Sequence, residues 1–398
     1  MPTPTYQYYN QLFKKLQLPL AFCDIDLLDK NCQDIAKRAE GGKTIRVASK
    51  SVRCTNILKR ILDSNPIYKG LMCFTGQEAL FLSKHGFDDL LLGYPTVDHK
   101  EITAICKATK NGKKIILMVD SEAHLKLIEE VAKEVDVKQP VCIDIDMSSY
   151  FPGLHFGVLR SPITTVEEAK KLVDCFDKYP NVSLVAVMGY EAQVAGLGEN
   201  NPANGFKNFI IPFLKKKSIT DYSKRRQEIV DYIKSKNHPL EIVNAGGTGS
   251  IESSKKEDWV TEITVGSGFY SPALFDYYND FKHQPAAGFA VQIVRQPKPG
   301  FFTCLGGGYI ASGATGADKQ PKPYLPEGVY LTVNEGTGEV QTPFEYKGSE
   351  RIHIGDTIIF RHSKAGELCE RFNELHLISN GKIVEKVPTY RGQGHCFL

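Results

Sequence analysis

A chain of 398 residues with 42% hydrophobic content can bury a large core, and its length argues for two or three domains and against disorder. The formal net charge of +3 is small for this size, and no run of like charges forms a nucleic-acid or membrane footprint, so the expected partner is a small molecule. The opening MPTPTYQYYN lacks the basic and apolar regions of a secretion signal and no later stretch reaches the length of a bilayer span, which predicts a soluble, cytoplasmic protein.

Along the chain, short β-branched apolar runs alternate with longer Lys- and Glu-rich stretches of helical period. The runs are TIRVASK (44–50), GLMCF (70–74), LLLGY (90–94), KIILMVD (114–120), VCIDID (141–146), SLVAVMGYE (183–191), EIVNAGG (241–247) and EITVGSG (262–268). Eight strands with helices between them predict an α/β fold, a (β/α)8 TIM barrel over residues 20–275. A doubly wound open sheet is the alternative, because strand count alone does not show closure. After residue 276 glycine and proline become dense, helical period disappears, and short strands such as GVYLTV, DTIIF, LHLI and GKIVEKVP follow turn signals. A C-terminal all-β domain is expected over 276–398, and residues 1–19 precede the barrel pattern and could pack on either part. The ten cysteines are scattered singly, often inside apolar runs, and read as reduced, buried small hydrophobes.

In a barrel of this kind chemistry gathers at the C-terminal ends of the strands. The stretch RVASKSVRC (46–54) places Lys50 at such an end. A lysine snorkelling to water is the bland reading of that position. Against it stands Arg46, four residues earlier on the same face by the period of two, whose cation would disfavour the ammonium form and help free the amine as a nucleophile. A second signal is NAGGTGS (244–250), directly after an apolar run, whose backbone N–H groups and hydroxyls could surround a phosphate, although two adjacent glycines also make a plain turn. VGSGFY (265–270) ends the next strand. In a closed barrel strand 1 lies beside strand 8, so a lysine and a phosphate cup there can share one ligand.

These segments, with MGYEA (188–192), PGLHFGVLRSP (152–162), GEVQTP (338–343) and FRHSKAGEL (360–368), resemble the alanine-racemase-like, fold-type III pyridoxal-phosphate enzymes. The branch resembled is that of D-threonine aldolases, D-serine dehydratases and amino acid deaminase/aldolase proteins. The resemblance covers nearly the whole chain. It implies pyridoxal 5′-phosphate as cofactor, Lys50 as the Schiff-base lysine and Arg46 as its companion. It also implies a homodimer with active sites at the subunit interface. Tyr190 is placed to face the cofactor ring, and is otherwise an amphipathic rim tyrosine. Gly247, Thr248, Gly249 and Ser250 would form the phosphate cup, with Gly266, Ser267 and Gly268 closing it, and Gln193 would reach the ring nitrogen or the substrate.

In the enzymes so resembled, a His-x-Cys or His-x-Asp pair holds a divalent metal. Here His362 stands in the first position, but Lys364 occupies the second, and an ammonium has no lone pair to donate, so no metal is expected. His362 is then a hydroxyl base acting without metal, or a structural histidine. Glu367 and Glu335 are substitutes of the same grade as any solvated carboxylate. GGGYIASG (306–313) lacks the strand-turn-helix setting of a dinucleotide loop and reads as a turn. Asp144 and Asp146 share a strand face and could meet a metal, although a carboxylate bonded to neighbouring backbone is the commoner outcome. The function expected is a lyase, an aldolase or deaminase, acting on a small β-hydroxy amino acid of D configuration. A racemase on the same scaffold and a non-catalytic cofactor carrier are the alternatives, the second disfavoured by the added β domain, which can wall in a substrate.

Overall fold

Each of the eight apolar runs becomes a strand: β1 (Thr44–Ala48), β2 (Tyr68–Cys73), β3 (Leu90–Leu92), β4 (Ile115–Val119), β5 (Gln139–Asp146), β6 (Val182–Tyr190), β7 (Ile242–Ala245) and β8 (Glu262–Val265). This computed structural model describes residues 5–202, 205–314 and 316–398, without the side chain of Lys207. The eight strands pair in parallel, in chain order, into a closed barrel. Closure decides against the open sheet: β8 pairs with β1, Thr264 opposite Arg46 and Val265 opposite Val47. Because parallel strands in such a barrel are covered on both faces, β4, β7 and β8 are buried at every residue. Four of the helices between strands start on side-chain caps. Thr75, Asp98, Ser121 and Thr165 each accept a hydrogen bond from the backbone three residues on, opening α1 (Gly76–Lys84), α2 (His99–Lys110), α3 (Glu122–Val135) and α4 (Val166–Cys175). The 29-residue α5 (Lys207–Ser235) follows β6.

Two buried guanidinium groups organise the barrel. Arg46 donates to Glu262 from Nε (2.7 Å) and Nη2 (3.0 Å), to Asp89 Oδ1 (3.1 Å), and to the Asp89 carbonyl (2.6 Å). Burial works against its charge, but Glu262 and Asp89 hold it firmly protonated. Arg226, on α5, donates to Glu191 (2.9 Å), to the Gly189 carbonyl (2.9 Å) and to Glu257. Both arginines and Glu191 are within 1% of complete burial.

The other unit takes the chain up to Asp34, Ser51–Arg60 and Ser267–Cys396, a partition that differs from cuts at residues 20 and 275. The reason is the strand Leu20–Asp24, which pairs antiparallel with Ala287–Lys298 and parallel with Glu374–Ser379. It thereby joins a nine-stranded sheet that also contains Phe301–Leu305, Gln341–Tyr346 and Thr357–Arg361. Tyr9 and Phe13 of the helix Tyr6–Phe13 pack with Leu20, Phe22, Ala290, Ile359 and Ile378 in its core. Residues 1–4 of the N-terminal segment lie outside the described residues. The stretch 306–313 contains no regular element, and the Gly306 N–H donates to Val340. No helix among the described residues is long and apolar enough to cross a membrane.

Two of these buried groups lead to measurable expectations. Arg226→Met leaves Glu191 and Glu257 buried without their cation, so it should cost about 3–5 kcal/mol of stability, read from urea unfolding. His362, also buried, has its pKa lowered from 6.5 to about 3, first by burial and then by Arg361. Its folded pKa lies below the unfolded value, so its contribution to stability is present above pH 6.5 and is lost progressively as pH falls toward 3. His362→Gln should therefore lose less melting temperature than the parent protein between pH 7 and pH 5.

Candidate active site

β1 ends at Ala48, and Ser49–Ser51 forms a single 3-10 turn that lifts Lys50 out of the strand. Ser49 is buried and its hydroxyl donates to the Met72 carbonyl at 2.8 Å, while Lys50 is exposed at the mouth. The strand period therefore does not carry from Arg46 to Lys50. Arg46 is bound where β8 begins, at Glu262, and just before β3, at Asp89, so it belongs to the barrel floor and its charge is matched there by two carboxylates. The activation of Lys50 expected from that cation has no geometric basis.

A polar partner of the amine comes instead from the end of β3. Lys50 Nζ donates to the Tyr94 hydroxyl at 2.7 Å. Burial alone would raise the Tyr94 pKa, but the charge and hydrogen bond of Lys50, helped by Arg160, bring it below the ordinary phenol value. Asp144, near the end of β5, is half-buried, and burial together with the charges of Asp120 and Asp146 pushes its pKa up to about 7. Asp146 is the backbone-bonded member of that pair, accepting from the N–H of Ser148 (2.8 Å) and of Arg160 (3.1 Å). Asp120, directly after β4, holds His124 Nδ1 at 3.0 Å. Arg160 is exposed, and its charge acts on Tyr94, Asp144 and Tyr190. Tyr94, Asp120, Asp144 and Arg160 thus join Lys50 at one end of the barrel. A strand-end signal could have found Tyr94, because Gly93-Tyr94 directly follows β3 as Gly189-Tyr190 closes β6.

The glycine loop after β7 is held from below. Glu191 accepts from the Gly246 N–H (3.2 Å), Ser250 Oγ (3.1 Å) and Ser254 Oγ (2.5 Å), and is itself bound by Arg226. Gly246 adopts φ +81°, a conformation that favours glycine. The Gly247 N–H donates to Ser250 Oγ at 3.0 Å, the Ser250 N–H to the Gly247 carbonyl at 3.1 Å, and Arg38 to the Thr248 carbonyl at 2.8 Å. A Cβ on Gly247 would come within 2.8 Å of Ala195 Cβ and 3.3 Å of the Tyr190 ring. Tyr190 therefore stands against the loop, its own pKa pushed up to about 12 by burial and Glu191. Gln193 is buried; its Nε2 donates to the Met147 carbonyl (2.6 Å) and Ser218 Oγ (2.9 Å), leaving Oε1 as an acceptor with no partner among the described residues. Gly249 lies between these loop anchors, and Gly266 is the buried residue that closes β8.

The remaining expected residues belong to the sheet unit. Ser267 and Gly268 open the four-residue helix Ser267–Tyr270. His362 follows the strand Thr357–Arg361, and its ring nitrogens make no well-formed hydrogen bond among the described residues. Lys364 donates to the Ser312 carbonyl at 3.4 Å and Glu367 accepts from the Ser312 N–H at 3.0 Å, while Glu335 is exposed. An ammonium two residues from His362 does not fit a divalent cation, and among the described residues no three His, Cys, Asp or Glu side chains are grouped to hold one.

Comparison with solved structures finds the same fold over nearly the whole chain. The D-threonine aldolase from Filomicrobium marinum is similar with TM-score 0.80 and 15% identity, covering 96% of this chain and 98% of that one. The D-threo-3-hydroxyaspartate dehydratase from Delftia sp. HT23 follows with TM-score 0.75 and 15% identity, over 95% and 98%. Alanine racemase from Clostridium difficile 630, in complex with cycloserine, gives TM-score 0.63 and 16% identity, over 94% and 99%. No curated protein sequence matches. The family model for the alanine racemase N-terminal domain matches residues 23–273, well over half of the chain, and the chain belongs to that family.

Proposed function

We propose that this protein is a pyridoxal-5′-phosphate-dependent lyase, an aldolase or dehydratase of a small β-hydroxy amino acid of D configuration, with Lys50 binding the cofactor. The observation that carries the reading is barrel closure. β8 is hydrogen-bonded to both β7 and β1, so the glycine loop after β7 and the amine after β1 flank one strand. The residues present fit the group: a primary amine at a strand end, a tyrosine ring against a loop where no Cβ fits, and an unpaired buried acceptor in Gln193.

When bound, the cofactor supplies an electron sink for the charge left at Cα when a bond there breaks. The chain's own groups do the rest. Thr248, Gly249 and Ser250 would receive the phosphate on a loop already shaped by Glu191, so little ordering accompanies binding. Arg160 offers the exposed cation that an amino-acid carboxylate needs. Asp144, titrating near neutrality, can hold or release a proton at working pH. The lyase reading is preferred to racemisation because the aldolase and dehydratase folds superpose more fully than the racemase does.

The test is direct. Borohydride reduction of cofactor-loaded protein followed by peptide mapping should leave the pyridoxyl group on Lys50; finding it on another lysine removes the reading. The loaded protein, given D- and L-serine, threonine and alanine, should release a carbonyl product from a D-β-hydroxy amino acid. Glycine with aldehyde identifies aldol cleavage, and ammonia with a 2-oxo acid identifies dehydration. Change of enantiomer without either marks a racemase, and no turnover marks a carrier. Gly247→Val forces the Tyr190 ring and Ala195 apart, so the cofactor dissociation constant should rise about tenfold or more, equivalent to ~1.4 kcal/mol. Equilibrium dialysis reads it.

A further inference from the structure

We propose that Tyr94 is the proton partner of Lys50: the phenol gives its proton to the lysine amine and takes it back. The pairing rests on contact, and it deepens the cofactor reading in one respect, the protonation of the amine that must react.

The geometry is specific. Lys50 and Tyr94 come from the ends of β1 and β3, on either side of β2, and meet at 2.7 Å between Nζ and the hydroxyl. Tyr94 is held there by its neighbour: the Gly93 N–H donates to the Cys73 carbonyl at 2.8 Å, and a Cβ on Gly93 would press on the Met72 side chain at 3.3 Å. The charged groups acting on the phenol are Lys50, Arg160 from the segment after β5, and Asp144 on β5, two cations against one carboxylate. That carboxylate is itself driven toward its neutral form. Burial moves the phenols of Tyr6, Tyr9, Tyr190, Tyr222 and Tyr270 upward, whereas Tyr94 moves down.

The step balances within the pair. The Tyr94 O–H bond breaks and an N–H bond forms on Lys50, so phenol plus amine becomes phenolate plus ammonium, with no other reactant. In the reverse direction the phenolate removes the proton that blocks the lone pair of Lys50, which is what a nucleophilic amine requires. This makes Tyr94, and not Arg46 in the barrel floor, the group that receives the proton Lys50 must lose.

Full-length protein carrying ¹³Cζ-tyrosine is titrated by NMR, with the Tyr94 signal assigned by its loss in Tyr94→Phe. It should ionise below the other tyrosines, shift upward in Lys50→Met, and stay low in Lys50→Arg, which keeps the cation. A Tyr94 titration indifferent to Lys50→Met overturns the proposal. The second readout is the pH profile for trapping pyridoxal 5′-phosphate on the protein with borohydride: Tyr94→Phe should shift it, and an unchanged profile overturns the pairing. The two readings separate cleanly. A pyridoxyl group on a different lysine with the Tyr94–Lys50 titration intact leaves the pair standing and removes the cofactor role, while label on Lys50 with no coupling does the reverse.

Discussion

The pairing of β8 with β1 is the constraint from which the rest of the barrel follows. It sets Thr44 opposite Glu262 and Arg46 opposite Thr264, and so fixes which side chains meet in the interior. There Asn244 donates to Glu262 (2.7 Å) and to Thr264 Oγ1 (2.8 Å), and Glu262 receives Arg46. A slip of one residue would turn each of these groups to the opposite face and leave buried polar atoms unpaired, a cost of about 1–3 kcal/mol for each. Gly70, at φ +67°, opens the passage for the guanidinium, since a Cβ there would lie 2.4 Å from Arg46 Nη1. The polar layer thus locks the register, and the register decides which strand ends stand together at the mouth.

Charge is distributed unevenly between floor and mouth. Arg46 faces two carboxylates in the floor, and Arg226 faces two beneath the glycine loop, each pair bound through hydrogen bonds as well as charge. Buried ion pairs of this kind contribute little net stability relative to apolar packing, but breaking one is costly, so they hold geometry more than they add free energy. At the mouth the compensation is incomplete: Asp144 is displaced upward and Tyr94 downward. Groups whose proton affinities are driven toward working pH are useful for proton transfer, and groups locked in ion pairs are not.

The strands were legible because a parallel barrel buries both faces of each one, which writes a continuous apolar run into the sequence. Lys50 and the loop after β7 were legible because they directly follow such runs. Arg46 was misplaced because the period of two was continued past Ala48, where the chain turns into a 3-10 helix. The strand Leu20–Asp24 escaped because its partners lie more than 260 residues away, and no local pattern encodes them. Glu191 stood inside the quoted MGYEA, but its role depends on Arg226 of α5 and on Ser254, which only the fold brings together. Arg160 likewise lay within a quoted segment whose individual residues carried no signal of their own.

The mouth has an electrostatic logic that favours an anion. Lys50 and Arg160 bring two positive charges, and Asp144 and Tyr94 are the acids that act with them. Asp120 and Asp146 push Asp144 toward protonation, but each of those carboxylates is engaged elsewhere, Asp120 with His124 and Asp146 with two backbone N–H groups. The Asp144 charge therefore offsets the cations only in part near neutral pH. Beside the mouth, the loop's own carboxylate, Glu191, is already matched by Arg226. An incoming anion meets Lys50 and Arg160 here, and its arrival raises the proton affinity of the groups around it. Binding of an anion and protonation of the mouth are in this way the same electrostatic event seen from two sides.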